Sequence, residues 1–518
     1  SIIENVFTKV IRISNTASLG NNIVVQGGTF QNDAVLRAME QYLGKNVIRA
    51  PYPGIMGAIG AALLTKENIQ EGRQSSFIGL DNMESFSYKQ EANVPCPFCM
   101  NHCQRSVMRF SNGSAWVTNN RCERGEILDT ENIKEALAKA PKKAPDCFKL
   151  REELLFKNYK IPENIQKRNI KIGLPRVLFF WDTMPFWNTF FRSLGFDVCI
   201  SSPSSHKLFE NGLYAVTSDT VCFPAKLVHG HIRDLAEKKV DRIFMPSIST
   251  LKSENSEKTS EWMCAVVKGY PLVIKNSDNP EKNFGIPFDS PLFFWFEDED
   301  RKKQIVSFMK ETYGIEKNEV LKAIEYGDKA EKLFHNTLLE EGDKIIADVN
   351  KNHKYAVILA SRPYQNDSLV NHHLPEMFTS MGIPVLTVDS IRGTEKEDLS
   401  KSRIDIVNNF HARMLSTALI AAKNPNLEYV QIVSFGCGHD AYLSDEIIRI
   451  MKETAEKTPL VLKLDESEIQ GPLRIRVRSF TETVEMKRRK NSLHSFKPLT
   501  DPYKRKFTKE DKEERIVL

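Results

Sequence analysis

Ile170-Lys171-Ile172-Gly173, followed after a helical stretch by Phe196-Asp197-Val198-Cys199-Ile200, sets the rhythm from which the fold is read. Short β-branched and apolar runs bounded by glycine or proline signal strands, and 3.6-residue spacing between them signals helices. The same rhythm predicts strands at 214–217 and 242–245. Long amphipathic helices are predicted over 300–350, and strands return at 355–360, 383–388, 429–434 and 460–464. Strands alternating with helices imply an α/β fold with doubly wound parallel sheets. The two runs predict two similar lobes, at 166–345 (with its helical extension) and 346–480.

Towards the N-terminus, 23–26 is a short strand that Gly27-Gly28 ends, 33–43 is a helix with one apolar face, and 47–49 is a second strand. The small apolar residues of 54–64 predict a tightly packed helix. Residues 1–70 are too few for a complete nucleotide-binding enzyme. Within 71–165, a polar linker to about 95 precedes four cysteines and then a charged, helical stretch. Residues 481–518 form a basic tail or a junction, with Lys487-Arg488-Arg489-Lys490 and Lys504-Arg505-Lys506 read as solvated.

The 518 residues suggest several domains. Lys and Arg number 72 against 67 Asp and Glu, a net charge of +5, too balanced to argue for nucleic acid. No apolar run reaches about 18 residues, so no membrane helix is expected. Ser1-Ile2-Ile3-Glu4 has no signal-peptide features, which with nine cysteines points to a cytoplasmic setting and to metal or redox chemistry rather than disulfides. The missing initial Met suggests a piece of a longer chain.

Cys96, Cys99, Cys103 and Cys122 follow C-x2-C-x3-C-x18-C. Two tight turns deliver the first three thiolates, and a hairpin at Asn112-Gly113 returns the fourth, so the group predicts a closed metal knuckle. Zinc and an iron–sulfur cluster both accept four sulfurs, and the spacing alone leans to structural zinc. Cys222, Cys264 and Cys437 are far apart in sequence. Cys222 and Cys437 follow predicted strands, and in an open parallel sheet the carboxyl ends of strands line the ligand crevice. Convergence of these thiols on a cluster stands against burial as free core cysteines. Lys226, His229 and His231 are expected to add positive charge near the sulfurs. Arg362 and the basic residues near His229 are candidates for phosphate contacts, with a solvated surface role as the alternative. Cys147 and Cys199 are read as structural. Gly436-Cys437-Gly438-His439-Asp440-Ala441 fits the dinucleotide-binding glycine pattern, though bulky His439 would crowd a pyrophosphate.

Val25-Gln26-Gly27-Gly28-Thr29-Phe30-Gln31-Asn32-Asp33-Ala34-Val35 resembles the adenosine-binding motif of the activator ATPases of 2-hydroxyacyl-CoA dehydratases and benzoyl-CoA reductases, which share the acetate kinase/Hsp70/actin fold. Met56-Gly57-Ala58-Ile59-Gly60-Ala61-Ala62 resembles the closing helix of that domain. Cys96-Pro97-Phe98-Cys99, Asn120-Arg121-Cys122, Ile172-Gly173-Leu174-Pro175-Arg176, the Cys222 segment through His231, Arg362-Pro363-Tyr364 with Asn371-His372, and the Cys437 turn resemble the module that follows this ATPase in very large activase-like proteins of anaerobes.

The resemblance implies the C-terminal part of an ATPase lobe over 1–70, with Gly27, Gly28, Thr29 and Asn32 at the nucleotide, and dehydratase-like lobes beyond it. It implies a 4Fe-4S or double-cubane iron–sulfur cluster on Cys222, Cys264 and Cys437, with zinc or a second cluster on the four-cysteine group. The function it implies is ATP-dependent delivery of low-potential electrons to an acyl-CoA dehydratase or reductase partner, in a homodimer. The alternatives are direct action on a CoA thioester and a zinc-stabilised scaffold. The family's phosphate loops and magnesium carboxylates are missing, so an N-terminal ATPase lobe is expected elsewhere, and Phe507-Thr508-Lys509-Glu510 resembles a junction before a further dehydratase-like segment. ATP and magnesium belong to the complete protein, and this piece alone is not expected to hydrolyse ATP.

Overall fold

The computed structural model describes residues 3, 6–7, 19–68, 79–96, 104–120, 128, 144–255, 261–467 and 470–492. The chain up to Ser87 belongs to one compact unit and Tyr88–Ser492 forms another.

In the first unit, β1 (Ile23–Val25) pairs in parallel with β2 (Val47–Arg49). Helix α1 (Asp33–Leu43) begins at Asn32, whose side-chain oxygen accepts the Ala34 N–H at 2.9 Å, and ends at left-handed Gly44. Met39 and Leu43 pack with Val25 and Val47. Helix α2 (Met56–Asn68) is not tightly packed as its composition suggests: Leu63 and Leu64 are 55% and 62% exposed. A two-stranded sheet has too little apolar face to cover a second helix.

The second unit opens with an antiparallel sheet of β3 (Tyr88–Pro95), β4 (Gln104–Phe110) and β5 (Ala115–Thr118). The β4–β5 hairpin turns at Asn112-Gly113, as its sequence predicts. Strand β3 falls within the stretch read as linker. It is exposed on both faces, so it carries no hydrophobic alternation. Helix α3 (Cys147–Leu155) follows, capped by Asp146.

Strands β6 (Lys171–Leu174), β7 (Asp197–Ile200) and β8 (Arg242–Phe244) form the first parallel sheet, with β9 (Ser247–Leu251) continuing β8 beyond Pro246. Short β10 (Phe288–Asp289) pairs with β8, and β11 (Leu292–Trp295) pairs with β9. Both paired strands break at a proline, Pro246 and Pro291, because proline has no N–H for the ladder. Residues 214–217 do not form the expected strand. Leu213–Ala215 is a 3₁₀ turn, and Tyr214 is 76% exposed, because β7 already closes that edge of the sheet.

The long helices of this lobe are α4 (Phe180–Ser193), α5 (Phe223–Glu237), α6 (Ala265–Ser277) and α7 (Asp298–Tyr313). Helix α8 (Lys317–Lys351) then leads to the second sheet. That sheet holds β12 (Ala356–Ala360), β13 (Val385–Leu386), β14 (Leu427–Ser434) and β15 (Leu460–Leu464), with α9 (Asn409–Lys423), α10 (Gly438–Ala455) and α11 (Gln470–Ser492).

The first sheet has the order β10-β8-β6-β7 and the second β13-β12-β14-β15, both wholly parallel. Each lobe puts its first strand inside, its second at one edge, and its third and fourth on the other side. One winding pattern therefore occurs twice, as the two runs of alternating elements suggest. One continuous core links the lobes. It includes Phe186, Trp187, Phe190 and Phe244 from the first lobe, Phe334 and Leu338 from α8, and Ile358 and Tyr429 from the second lobe.

Candidate functional site

Three cysteines stand in equivalent local positions. Cys222 immediately precedes α5, Cys264 precedes α6 and Cys437 precedes α10, each in extended backbone with ψ of 147°, 132° and 109°. The first N–H groups of a helix lack intrahelical partners and, with the helix dipole, favour negative charge at that end. A thiol there is a better metal ligand or nucleophile than one inside an element.

The turns carrying Cys222 and Cys437 touch. A Cβ added at Gly436 would lie 2.5 Å from the Thr220 carbonyl oxygen and 3.6 Å from the Cys222 amide nitrogen. Glycine is needed there for close backbone approach, which also accounts for the first glycine of the apparent dinucleotide pattern. The three thiols share one electrostatic neighbourhood. Burial pushes the Cys222 thiol up to about 12, and Cys264 and Cys437 push it further, against the Ala225 N–H and the Arg362 guanidinium. Burial also raises Cys437, while Arg362 acts in the opposite direction. The phenol of Tyr364, 4% exposed, is held well above its usual range by burial, and all three thiols reinforce the shift.

Arg362 is 2% exposed and is ion-paired with Asp440 at 2.7 Å. It also donates to Nε2 of His411 at 3.4 Å. Arg362 follows β12, and Asp440 sits in the first turn of α10, so the pair ties neighbouring strand ends of the second sheet. Neither the phosphate contact nor the solvated surface role expected of Arg362 fits this burial. The following Asn371 and His372 are buried too, with His372 Nε2 2.8 Å from the Asp465 carbonyl oxygen.

The positive charge expected from His231 is absent. Burial pushes His231 down to about 3, and its ring lies between Ser201 Oγ at 2.8 Å and Ser204 Oγ at 3.0 Å. Lys226 is ion-paired with Glu466 at 2.7 Å. His229 is fully buried. Its Nδ1 meets Asp278, and its Nε2 is 3.0 Å from the Tyr270 hydroxyl. Tyr270 lies on the helix that Cys264 precedes and His229 on the helix that Cys222 precedes, so this contact links the two thiol-bearing elements. Arg233 closes the network on Asp278 at 2.9 Å. Asp278 had no sequence signal, since a lone aspartate at the end of a helical stretch reads as surface, and Asp440 stood only as a position in the dinucleotide-like glycine pattern. Tyr364 stood in the quoted Arg362-Pro363-Tyr364 without a role.

Of the four-cysteine group, only Cys96 lies among the described residues. It is 5% exposed, at the end of β3. Cys99, Cys103 and Cys122 lie outside the described residues. Among the described residues, no three His, Cys, Asp or Glu side chains close around a single-ion position. A single ion draws its ligands to about 2.0–2.3 Å from one centre. A cluster's ligands bind different irons and stand further apart. Cys147 is fully buried at the start of α3 and is pushed up to about 12 by burial, and Cys199 lies in β7.

In the first unit, Gly27 has φ 109° and its N–H bonds the Pro53 carbonyl at 2.7 Å. Gly28 and Thr29 open a 3₁₀ turn, and Asn32 caps α1. A Cβ at Gly27 or Gly28 would meet nothing within 4 Å, so this turn is open on its glycine side.

Among the described residues, no helix is long and apolar enough to cross a membrane. A search of curated proteins found no match. Residues 171–391 match a family model described as “CoA enzyme activase uncharacterised domain”. The match spans the first parallel sheet, α8 and the first two strands of the second sheet. It includes Cys222, Cys264 and Arg362, while Cys437 falls beyond it. Over residues 171–391, the chain is similar to a CoA-enzyme-activase-related family.

Proposed function

We propose that the chain is the cluster-bearing part of an ATP-dependent, iron–sulfur electron-transfer activase, with Cys222, Cys264 and Cys437 as cluster ligands. The observation that carries this reading is the gathering of three thiols, each preceding a helix, beside a buried arginine and tyrosine. The donor set fits the group. Cys222 and Cys437 resist ionising alone because burial outweighs the nearby positive charge, so a cationic iron core would complete the balance. When bound, such a cluster supplies a one-electron carrier whose potential follows its charge, hydrogen bonding and burial.

The chain's residues have distinct tasks in this reading. The first turns of α5, α6 and α10 favour the thiolates. Arg362, fixed by Asp440, supplies fixed positive charge beside Cys437. The His229–Tyr270 contact holds two of the thiol-bearing helices in register. Tyr364 covers the thiols and excludes water. In the complete protein, the open Gly27–Asn32 turn would meet the nucleotide. Unequal binding of nucleotide by two conformations would then drive electron delivery to an acyl-CoA dehydratase or reductase partner. The group of Cys96, Cys99, Cys103 and Cys122 would hold zinc or a second cluster.

Anaerobic purification with iron, sulfide and zinc analysis tests this reading. The expected outcome is brown protein with bound iron and sulfide, and loss of one cluster's iron in Cys222→Ala with the far-UV spectrum unchanged. Colourless protein that binds zinc alone under reconstitution with iron and sulfide would refute it.

A further inference from the structure

Arg488 is not solvated as its basic run suggests. Its guanidinium donates to the carbonyl oxygens of Pro425 and His353 at 3.0 Å each and of Lys354 at 2.9 Å. These bonds hold α11 across the amino ends of β12 and β14, which begin at Ala356 and Leu427. A groove of about 1190 Å³ opens there, between α11 and the turn from α10 to β15. That volume is above the usual range for a small-molecule site, and packed interiors do not leave such voids. From Arg476 to Arg488 its wall follows about three turns of α11, or roughly 18 Å.

The rim of the groove is basic and its floor apolar. Arg476, Lys487 and Arg488 line it, and among the described residues none of them has a carboxylate within ion-pair distance. Arg489 is paired with Glu485 at 3.1 Å. Glu428 and Glu456 also line the groove, and neither is ion-paired among the described residues. Ile475, 70% exposed, forms the floor with Phe480 and Val484. The cations offer charge more than free donors. Lys457 spends three N–H groups on the carbonyls of Ala421, Asn424 and Leu427, at 2.8, 2.6 and 2.9 Å, and so caps the carboxyl end of α9. Arg476 gives one N–H to the Val461 carbonyl at 2.6 Å. A phosphate is held by charge-assisted hydrogen bonds from converging free donors, whereas a carboxylate-rich protein surface is steered and oriented by the field of a basic rim.

We propose that this groove seats an acidic amphipathic helix of a partner protein. Leucine-like side chains of that helix would cover Ile475, Phe480 and Val484, and its carboxylates would face Arg476 and Lys487. Exposed apolar residues inside a charged rim are what such helix-in-groove recognition uses. The site is remote from the thiols. Cys437 follows the carboxyl end of β14, whose 8 residues span roughly 26 Å, and the groove lies at the amino end. A helix seated there leaves the thiol crevice open, and the inference does not depend on a cluster being bound.

Fluorescence anisotropy of the full chain with a labelled helical peptide of about 14 residues, leucines on one face and glutamates on the other, tests the proposal. Saturable binding with a Kd of about 10–100 μM is expected, and the same peptide with lysines in place of the glutamates should not bind. Arg476→Glu with Lys487→Glu, both at exposed positions, should weaken the acidic peptide about tenfold with the far-UV spectrum unchanged. Ile475→Ser should weaken it about fivefold by removing floor, and raising the salt from about 0.05 to 0.5 M should weaken it in the parent chain. No saturable binding, equal binding of the basic peptide, or unchanged affinity in both the charge-reversed and Ile475→Ser chains would overturn the proposal. So would inorganic pyrophosphate or an oligonucleotide binding more tightly than the peptide, or a dimer of the parent chain that the charge reversal dissociates, which would make a second copy the occupant.

Discussion

Cys222 holds its proton firmly, and the reason is mainly burial, with two neighbouring thiols adding to it. An unperturbed cysteine ionises near pH 8.5. Iodoacetamide at pH 8 should therefore modify Cys222 of the metal-free chain at least about a hundredfold more slowly than a cysteine peptide, with the rate rising up to about pH 12. Peptide mapping by mass spectrometry measures this, and a rate equal to the peptide's would contradict the burial. The sign for stability follows. The unfolded thiol ionises first, so its contribution is complete below about pH 8.5 and is lost as pH rises towards 12. The positions of Cys222 and Cys437 past predicted strands were legible in the sequence, because a strand followed by a helix must turn at the crevice rim. Their electrostatic setting was not, because Arg362 and Asp440 lie 78 residues apart and pair only in the folded sheet.

At the scale of elements, the contact between the Cys437 turn and the Cys222 turn depends on a missing side chain. Gly436→Ala would drive a methyl group to 2.5 Å from a backbone oxygen, which cannot rotate away as a side chain can. A loss of about 1–3 kcal/mol in denaturant unfolding is expected. Gly438→Ala, where an added Cβ meets nothing within 4 Å, is the control and should change stability little. Equal losses from both would show that the close turn contact is not what matters. Most elements were legible where apolar period and length agree. Helix α1 and strand β2 match their predicted bounds, and β15 matches as well. Polar β3 was missed because both its faces are exposed. The 214–217 segment was misread because a strand also needs a free place in a sheet, which only topology supplies.

At the scale of the molecule, charged pairs join the lobes alongside apolar packing. Arg413 on α9 reaches Asp182 on α4, and Arg151 on α3, fully buried, meets Asp389 of the second lobe at 2.7 Å. With one core shared between the sheets, residues 144–492 should unfold in a single cooperative transition. Arg413→Met leaves Glu254 without its cation and Asp182 with only Arg151, 3.7 Å away, and should lower stability by about 3 kcal/mol, still in one transition. Denaturant titrations followed by tryptophan fluorescence and circular dichroism measure both. Two separated transitions in the parent chain would show that the lobes are independent. Two lobes were readable from the repeated alternation. Their common strand order was not, since no local pattern says which edge the second strand takes.

That repeated winding bears on how the molecule is made. All strands of the first sheet are synthesised before any strand of the second, so each sheet can close on near neighbours as the chain leaves the ribosome. Cys222 and Cys264 travel with the earlier half, and Cys437 emerges only with the later one. Any inorganic core shared by all three must therefore be inserted after translation has passed the last of them. Such a core can seal the finished architecture but cannot seed it.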